Sequence, residues 1–422
     1  AYRVFTNNPV GAAMRGHGVT HTRFAAEIQM DMMAEELGLD PMEIRLKNAI
    51  EAPHETINKV TVFSCGLKEG LLKLKEHPLW KERKKGDWAK EIAGGVGVSG
   101  VAYLGGARQR GHQSCAAVLR LCEDGTIEYL TGATDAGQGS DTVLTQIVAE
   151  ELGVNIEYVD IQRVDTAYTP CDAGSYGSRV TALAGEAAMK AARDLKRQLA
   201  EYAARQWGVS TDDIIFKDNK VYPKDMPEKA IPFRKLAQIA CYSGAGAVII
   251  GKGFSQYGLE PYDFDKGMGN AGTAYSFTSQ LTKVEVDKET GFTRCTDIII
   301  AHDCGKPLNP ALVESQNQGA AVQGLGQAIY EEFVMDKGKT LNANLADYKM
   351  PTAADVPNIE VIHILTEDPN VPYGAKEASE GAIVSSPPSV ISAIHDATGI
   401  WFKELPVTPE KIALALREKN KK

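Results

Sequence analysis

The sequence predicts an α+β protein built from two related lobes of mixed sheets and helices. Two observations carry this. A hairpin, a loop and a helix occur in that order twice, roughly 165 residues apart. In addition, 422 residues with 43% hydrophobic and 24% charged content exceed one ordinary core while remaining globular in composition. The net charge of −9 argues against a nucleic-acid partner. No apolar run approaches the roughly 20 residues a membrane span needs.

The elements follow in chain order. Tyr2 to Thr6 reads as a strand entering a turn at Asn7-Asn8-Pro9, with no signal peptide. A helix follows Gly18, capped by Thr20 or Thr22, with Phe24, Ile28, Met32 and Leu37 on one face and Gly38 as its stop. Asp40-Pro41 opens a short helix from Met42 to Ile50. Residues 66–85 read as a further helix running into a charged surface stretch. Strands Ala116–Cys122 and Thr126–Thr131 flank Glu123-Asp124-Gly125 as a hairpin. A helix from Ser140 to Leu152, a strand from Ile156 to Arg163 and a long helix from Val180 to Trp207 come next. The second hairpin pairs Leu281–Asp287 with Phe292–Ala301 and leads to a helix from Ala311 to about Tyr330. The expected division is 1–88 as an N-terminal helical segment, 89–245 as the first lobe and 246–422 as the second.

Five segments hold candidate chemistry. Gly374 to Val384 sets Lys376, Glu377 and Glu380 among small residues, where a carboxylate loses water and gains proton affinity. An exposed Lys376–Glu380 pair on a first helical turn accounts for that segment equally well. The loop Gly132 to Ser140, with Gly137, Gln138 and Gly139, lies between a strand and a helix, as an anion site or a tight turn would. Ser175, Tyr176, Gly177, Ser178 and Arg179 open the next helix, as either a phosphate cradle or a cap with a surface arginine. Gln316, Gln318, Gln323 and Gln327 sit on a helix interrupted by Gly319, Gly324 and Gly326, which suits a heterocyclic ligand or close helix packing. Gly11 to Gly18 places Met14, Arg15 and His17 in a loop opening a helix, with Arg15 as an anion contact and His17 as a pocket residue. The seven cysteines show no C-x-x-C spacing, which weighs against a structural zinc or iron–sulfur site and leaves free thiols in a reducing cytoplasm as the expectation.

Taken in order, these motifs, with Asp347-Tyr-Lys-Met-Pro351, resemble the molybdenum-binding subunits of the xanthine dehydrogenase / aldehyde oxidase family over nearly the whole chain. The chain looks like the C-terminal part of such a subunit, carrying its molybdopterin-binding domain. The family's Gly-Gly-Gly-Phe-Gly motif is absent, so an N-terminal partner chain or segment should supply it, as in nicotinate dehydrogenase with its split molybdenum subunit. The resemblance implies hydroxylation of an electron-poor carbon in an N-heteroaromatic substrate of purine or nicotinate type, with oxygen from water. It implies a molybdenum–molybdopterin cofactor, as the cytosine dinucleotide in many bacteria, whose dithiolene holds the metal without a protein ligand. Electrons would leave through [2Fe–2S] and FAD chains.

Carried over by motif, Glu380 is the general base acting on the metal-bound hydroxyl. Met14, Arg15, Gly137, Gln138, Gly139, Ser175, Tyr176, Gly177, Ser178, Arg179, Gln316, Gln318 and Lys376 would line the cofactor. His17 stands where the family often has Phe or Tyr, and would hydrogen-bond a substrate nitrogen, carbonyl or carboxylate. Glu380 is followed by Gly-Ala-Ile-Val, not the Pro-Pro of animal xanthine dehydrogenases. The alternatives are an aldehyde or aryl-CoA enzyme of the same family, or a non-catalytic scaffold derived from the fold.

Overall fold

A computed structural model describes the chain except residues 1–3, 9–10, 12, 84–89, 108–114, 163, 244–247, 256–261, 264 and 422. Two four-stranded sheets organise it. The labelled strands are β1 (Ile92–Gly105), β2 (Ala116–Leu121), β3 (Ile127–Thr131), β4 (Val159–Ile161), β5 (Ile250–Phe254), β6 (Ala274–Asp287), β7 (Thr293–Asp303) and β8 (Asn358–His363). The labelled helices are α1 (Val19–Glu36), α2 (Pro41–Asn48), α3 (Leu67–Glu76), α4 (Ser140–Leu152), α5 (Gly185–Trp207), α6 (Pro310–Ile329) and α7 (Glu380–Thr398).

The first sheet runs β5-β2-β3-β4 and the second β8-β7-β6-β1. Each contains an antiparallel hairpin, β2-β3 or β6-β7. A helix, α4 or α6, then crosses to a strand parallel to the second hairpin strand, β4 or β8. A second helix, α5 or α7, follows and covers the sheet.

Both covering helices sit on paired glycines. A Cβ on Gly251 or Gly253 of β5 would come within 2.2 or 2.1 Å of the Ala191 or Ala187 carbonyl of α5. A Cβ on Gly95 or Gly97 of β1 would come within 2.1 Å of the Ala393 or Ser389 carbonyl of α7. The same device in both halves makes them structural repeats, and glycine is required there because helix backbone lies directly on strand backbone.

The sheets cross the boundary expected at 245/246. Strand β1 pairs with β6 in the second sheet, whereas β5 pairs with β2 in the first. The N-terminal helices are fastened to the second half. Buried Arg45 of α2 holds Glu27 at 2.9 Å and also Asp31, both on α1. Glu27 in turn accepts from the Gly100 amide of β1, and Asp31 accepts from Ser392 of α7.

Several local expectations change. Helix α1 starts at Val19 with Gly18 as its N-cap, so Thr20 and Thr22 lie inside it and neither caps it. The helix expected over 66–85 breaks at His77, where Pro78 cannot continue the hydrogen-bond ladder. Residues 156–158 form a 3-10 turn and only 159–161 pair as a strand; residue 163 lies outside the described residues. Val4 to Thr6 form no strand, and Tyr2 and Arg3 lie outside the described residues. Helix α7 is buried on nearly every face among β1, β6, α1 and α6. Among the described residues, no helix is long and apolar enough to cross a membrane.

Candidate active site

Glycine-bearing turns from three distant segments meet at the N-terminus of α7. The loop before α7 is pinned first. The Lys376 amide donates to the Cys304 carbonyl at 2.7 Å, and Ala375 bridges Gly305 just beyond β7. The Lys376 ammonium donates to Asp303 at 2.7 Å, with both side chains 0% exposed. Asp303 also accepts from the Gly66 amide at 2.8 Å, the Gly305 amide at 3.0 Å and the Thr366 hydroxyl at 2.7 Å. This corrects one reading of Lys376. It forms no exposed pair with Glu380; its charge is taken by Asp303, and the residue lines the cavity between the loops.

Glu380, the first residue of α7, is 9% exposed. The Gly16 amide donates to its Oε1 at 3.1 Å, and the Ser178 hydroxyl donates to its Oε2. Gly16, His17 and Gly18 all have positive φ, as do Gly177 and Ser178. These are strained conformations for His17 and Ser178, of the kind that concentrates at functional sites. Burial pushes the Glu380 carboxyl above the ordinary carboxylate range; the Ser178 hydroxyl and Gly16 amide oppose this, and the charge of Glu377 reinforces it. The Tyr103 hydroxyl is buried close by facing Glu380, and burial followed by the charges of Glu380 and Glu377 raises its pKa.

Arg15 reaches this centre from the loop before α1. Its guanidinium donates to Gln316 Oε1 at 2.7 Å, the Gln316 carbonyl at 3.2 Å and Gln323 Oε1 at 3.1 Å, all on α6. Burial lowers its pKa, against the pull of Glu377 and Glu380. Gln327 donates to Met14 Sδ at 3.3 Å. His17 is exposed and stacks on Tyr176 with ring centroids 6.5 Å apart. Gln318 is exposed on α6. Ser175 donates to the Thr134 carbonyl at 2.6 Å and accepts from its amide, which joins the two glycine-rich loops.

Two expected anion sites are filled by the chain's own carboxylates. Asp135 accepts from the amides of Gly137 (2.7 Å), Gly139 (3.3 Å) and Asp141 (3.0 Å), so it caps α4 where a phosphate was expected. Gln138 is folded back on Ala136, Thr134 and Ser140. Arg179 is 1% exposed and donates to Asp172 at 2.6 Å, the Gly174 carbonyl at 2.9 Å and Cys115 Sγ at 3.2 Å. It braces the loop from behind. A buried guanidinium needs a buried counter-charge, and Asp172, seven residues earlier, provides it.

Between these loops lies a cavity of about 90 Å³ lined by Gln138, Thr181, Lys306, Asn309, Gln316 and Ala378, among others. Amide side chains and the exposed Lys306 offer donors, acceptors and positive charge together. A pterin carrying phosphate presents the complementary set, and the residues present fit such a group. Among the described residues no group of three or more His, Cys, Asp and Glu side chains could hold a metal ion.

The sequence reading gave no role to Tyr103, Asp135 and Lys306, and none of its own to Glu377. Glu377 was visible as a second carboxylate within the same small-residue segment, and Asp135 within the glycine-rich loop before α4; Tyr103 and Lys306 carry no local signal.

The comparisons accord with this geometry. The molybdopterin cofactor-binding domain family matches residues 73–357, and a second domain of the same description matches residues 1–49. The putative xanthine dehydrogenase molybdenum-binding subunit of Escherichia coli (strain K12) is 32% identical over 97% of this chain and 54% of its own length. The nicotine 6-hydroxylase large subunit of Paenarthrobacter nicotinovorans is 28% identical over 98% of this chain and 52% of its own. Among solved structures, quinoline 2-oxidoreductase from Pseudomonas putida 86 superposes with a TM-score of 0.87 at 28% identity, covering 97% of this chain and 53% of that one. The chain thus spans about half the length of these relatives. With its domain matches over most of the sequence and a cleft that fits the same ligand, the chain belongs to the molybdenum hydroxylase family, of which it carries a molybdopterin cofactor-binding part.

Proposed function

We propose that this chain supplies the general base and the cofactor-facing loops of a molybdenum hydroxylase acting on an N-heteroaromatic substrate. One observation carries the reading: the Glu380 carboxylate, raised in proton affinity, stands where the turns at Gly16 and Ser178 converge. The reaction replaces a ring C–H with C–OH, taking oxygen from water and releasing two electrons and two protons. Molybdopterin with molybdenum, in the cytosine dinucleotide form, supplies the two-electron chemistry when bound. Glu380 takes up the proton that the water-derived oxygen loses on bonding to carbon. A raised proton affinity suits that task near neutral pH. Gly16 and Ser178 hold the carboxylate in one orientation, and Arg15, braced by Gln316 and Gln323, sets positive charge beside it. His17 and Tyr176 present a polar and an aromatic ring to substrate at the mouth.

The nitrogen heterocycles in the names of the nicotine and quinoline enzymes favour this substrate class over aldehydes. An N-terminal partner segment or chain would complete the cleft, and [2Fe–2S] and FAD subunits would accept the electrons; relatives described as large subunits support a heteromeric complex. The test is Glu380→Gln in the complex purified with its partners, screened on purines, pyridines and aldehydes with an artificial acceptor. Turnover should fall by roughly 10²-fold or more while molybdenum and pterin content stay at wild-type ratio. Intact turnover in a metal-replete variant overturns the proposal, and activity confined to aldehydes moves the substrate class.

A further inference from the structure

Glu380 occupies a position where a carboxylate ordinarily becomes more acidic. It is the first residue of a 19-residue helix, and the free amides and partial positive charge of a helix N-terminus favour an ionised side chain. Those amides are nevertheless taken. Glu377 Oε2 accepts from the Ser379 amide at 2.9 Å and the Glu380 amide at 2.9 Å, and Glu377 Oε1 accepts from the Gly381 amide at 3.1 Å. The Ser276 hydroxyl donates to the same Oε1. Ser379, the residue in the cap position, makes no side-chain cap bond.

The surroundings of Glu377 fit this task. Its residue is 5% exposed. Its carbonyl accepts from His302 Nε2 at 3.2 Å, while His302 Nδ1 accepts from the Thr278 hydroxyl at 2.8 Å, a network that assigns the Nε2–H tautomer. A Cβ at Gly381 would lie 2.8 Å from Glu377 Oε1 and 2.7 Å from Thr278 Oγ1, so glycine at 381 makes room for the cap.

We propose, building on the function assigned above to Glu380, that Glu377 is its positioning residue: Glu377 takes the three amides that open α7, fixes the direction in which Glu380 leaves the helix, and screens Glu380 from the helix terminus so that it works as a base. The groups facing Glu380 are Glu377 from its own loop, Tyr103 from β1 and Arg15 from the loop before α1. His302 reaches it only through the Glu377 backbone, and Lys376 is paired with Asp303. Glu377→Gln leaves all of these in place, keeps one oxygen acceptor and removes one negative charge.

Two readouts test this. In the purified complex, the acidic limb of the kcat/KM profile should move to lower pH by about one unit in Glu377→Gln, with KM nearly unchanged and wild-type molybdenum content. In the same complex prepared without cofactor, the infrared carboxyl band missing from Glu380→Gln should titrate at lower pH in Glu377→Gln by the same amount. Glu377→Asp, which keeps the charge, should stay nearer to wild type than Glu377→Gln in both. An unmoved band and an unmoved limb in a metal-replete Glu377→Gln complex overturn the role of Glu377, and leave that of Glu380 standing if Glu380→Gln is inactive. If Glu377→Gln does not fold, the wild-type band decides: a titration at or below that of free glutamate overturns the proposal, and one above it supports it.

Discussion

Lys376→Met separates two roles for this residue. In the structure its ammonium meets Asp303 at 2.7 Å with neither side chain exposed. Removing the ammonium leaves a buried carboxylate with three neutral donors, from Gly66, Gly305 and Thr366. Breaking a buried ion pair costs about 3–5 kcal/mol, and the three remaining donors place this case near the lower end, about 3 kcal/mol. Urea unfolding followed by circular dichroism, with the slope held at its wild-type value, measures the loss. Adding Asp303→Asn removes the stranded charge and should recover about 1–2 kcal/mol, a coupling expected of residues in contact. A single-variant cost below about 1 kcal/mol, or a double variant no more stable than the single, would refute the pairing. The lysine would then act in the cleft, and the loss would appear as missing cofactor.

Two further predictions use the same stability measurement. Gly97→Ala should destabilise by about 1–3 kcal/mol or more, because its Cβ would lie 2.1 Å from the Ser389 carbonyl and 2.4 Å from the Ala393 amide of α7, backbone that cannot move aside. Gly94→Ala, whose Cβ would meet only the Val284 carbonyl at 3.9 Å, is the control and should be neutral or slightly stabilising. Glu380→Gln should stabilise the fold at neutral pH. The folded state raises the pKa of Glu380 above its unfolded value of about 4.3, so this group disfavours folding increasingly as pH rises from there through the folded-state pKa. The gain should vanish below about pH 4, and melting curves of wild type and variant across that range should converge on the acid side; parallel curves would contradict the buried, elevated carboxyl.

Much of the architecture was legible because its signals are local. Glu123-Asp124-Gly125 marks a hairpin, and helix α4 begins at Ser140 and ends at Leu152 as read, stopped by Gly153 in the left-handed region. Asp40 caps α2 through the amides of Met42 and Glu43. The recurring hairpin and helix were visible, whereas the exchange of β1 and β5 between sheets was not. Strand pairing is chosen by which faces can be buried together, and that choice spans 169 to 195 residues between the partners in β1 and β6.

The candidate site divides in the same way. Glu380 and the turns around Gly16 and Ser178 could be named from residue type and order, because glycines and an isolated carboxylate among small residues declare themselves within a few positions. The destination of each charge could not be read that way. Lys376 finds Asp303 73 residues away, Gly16 finds Glu380 across 364, and Asp135 and Glu377 turn back onto the amides that open their own helices. The chain alone therefore determined which elements form and which side chain is the candidate base. Only the folded structure decided which anions fill the helix ends and which cations are neutralised, because a charge removed from water takes whichever partner the packing brings within reach.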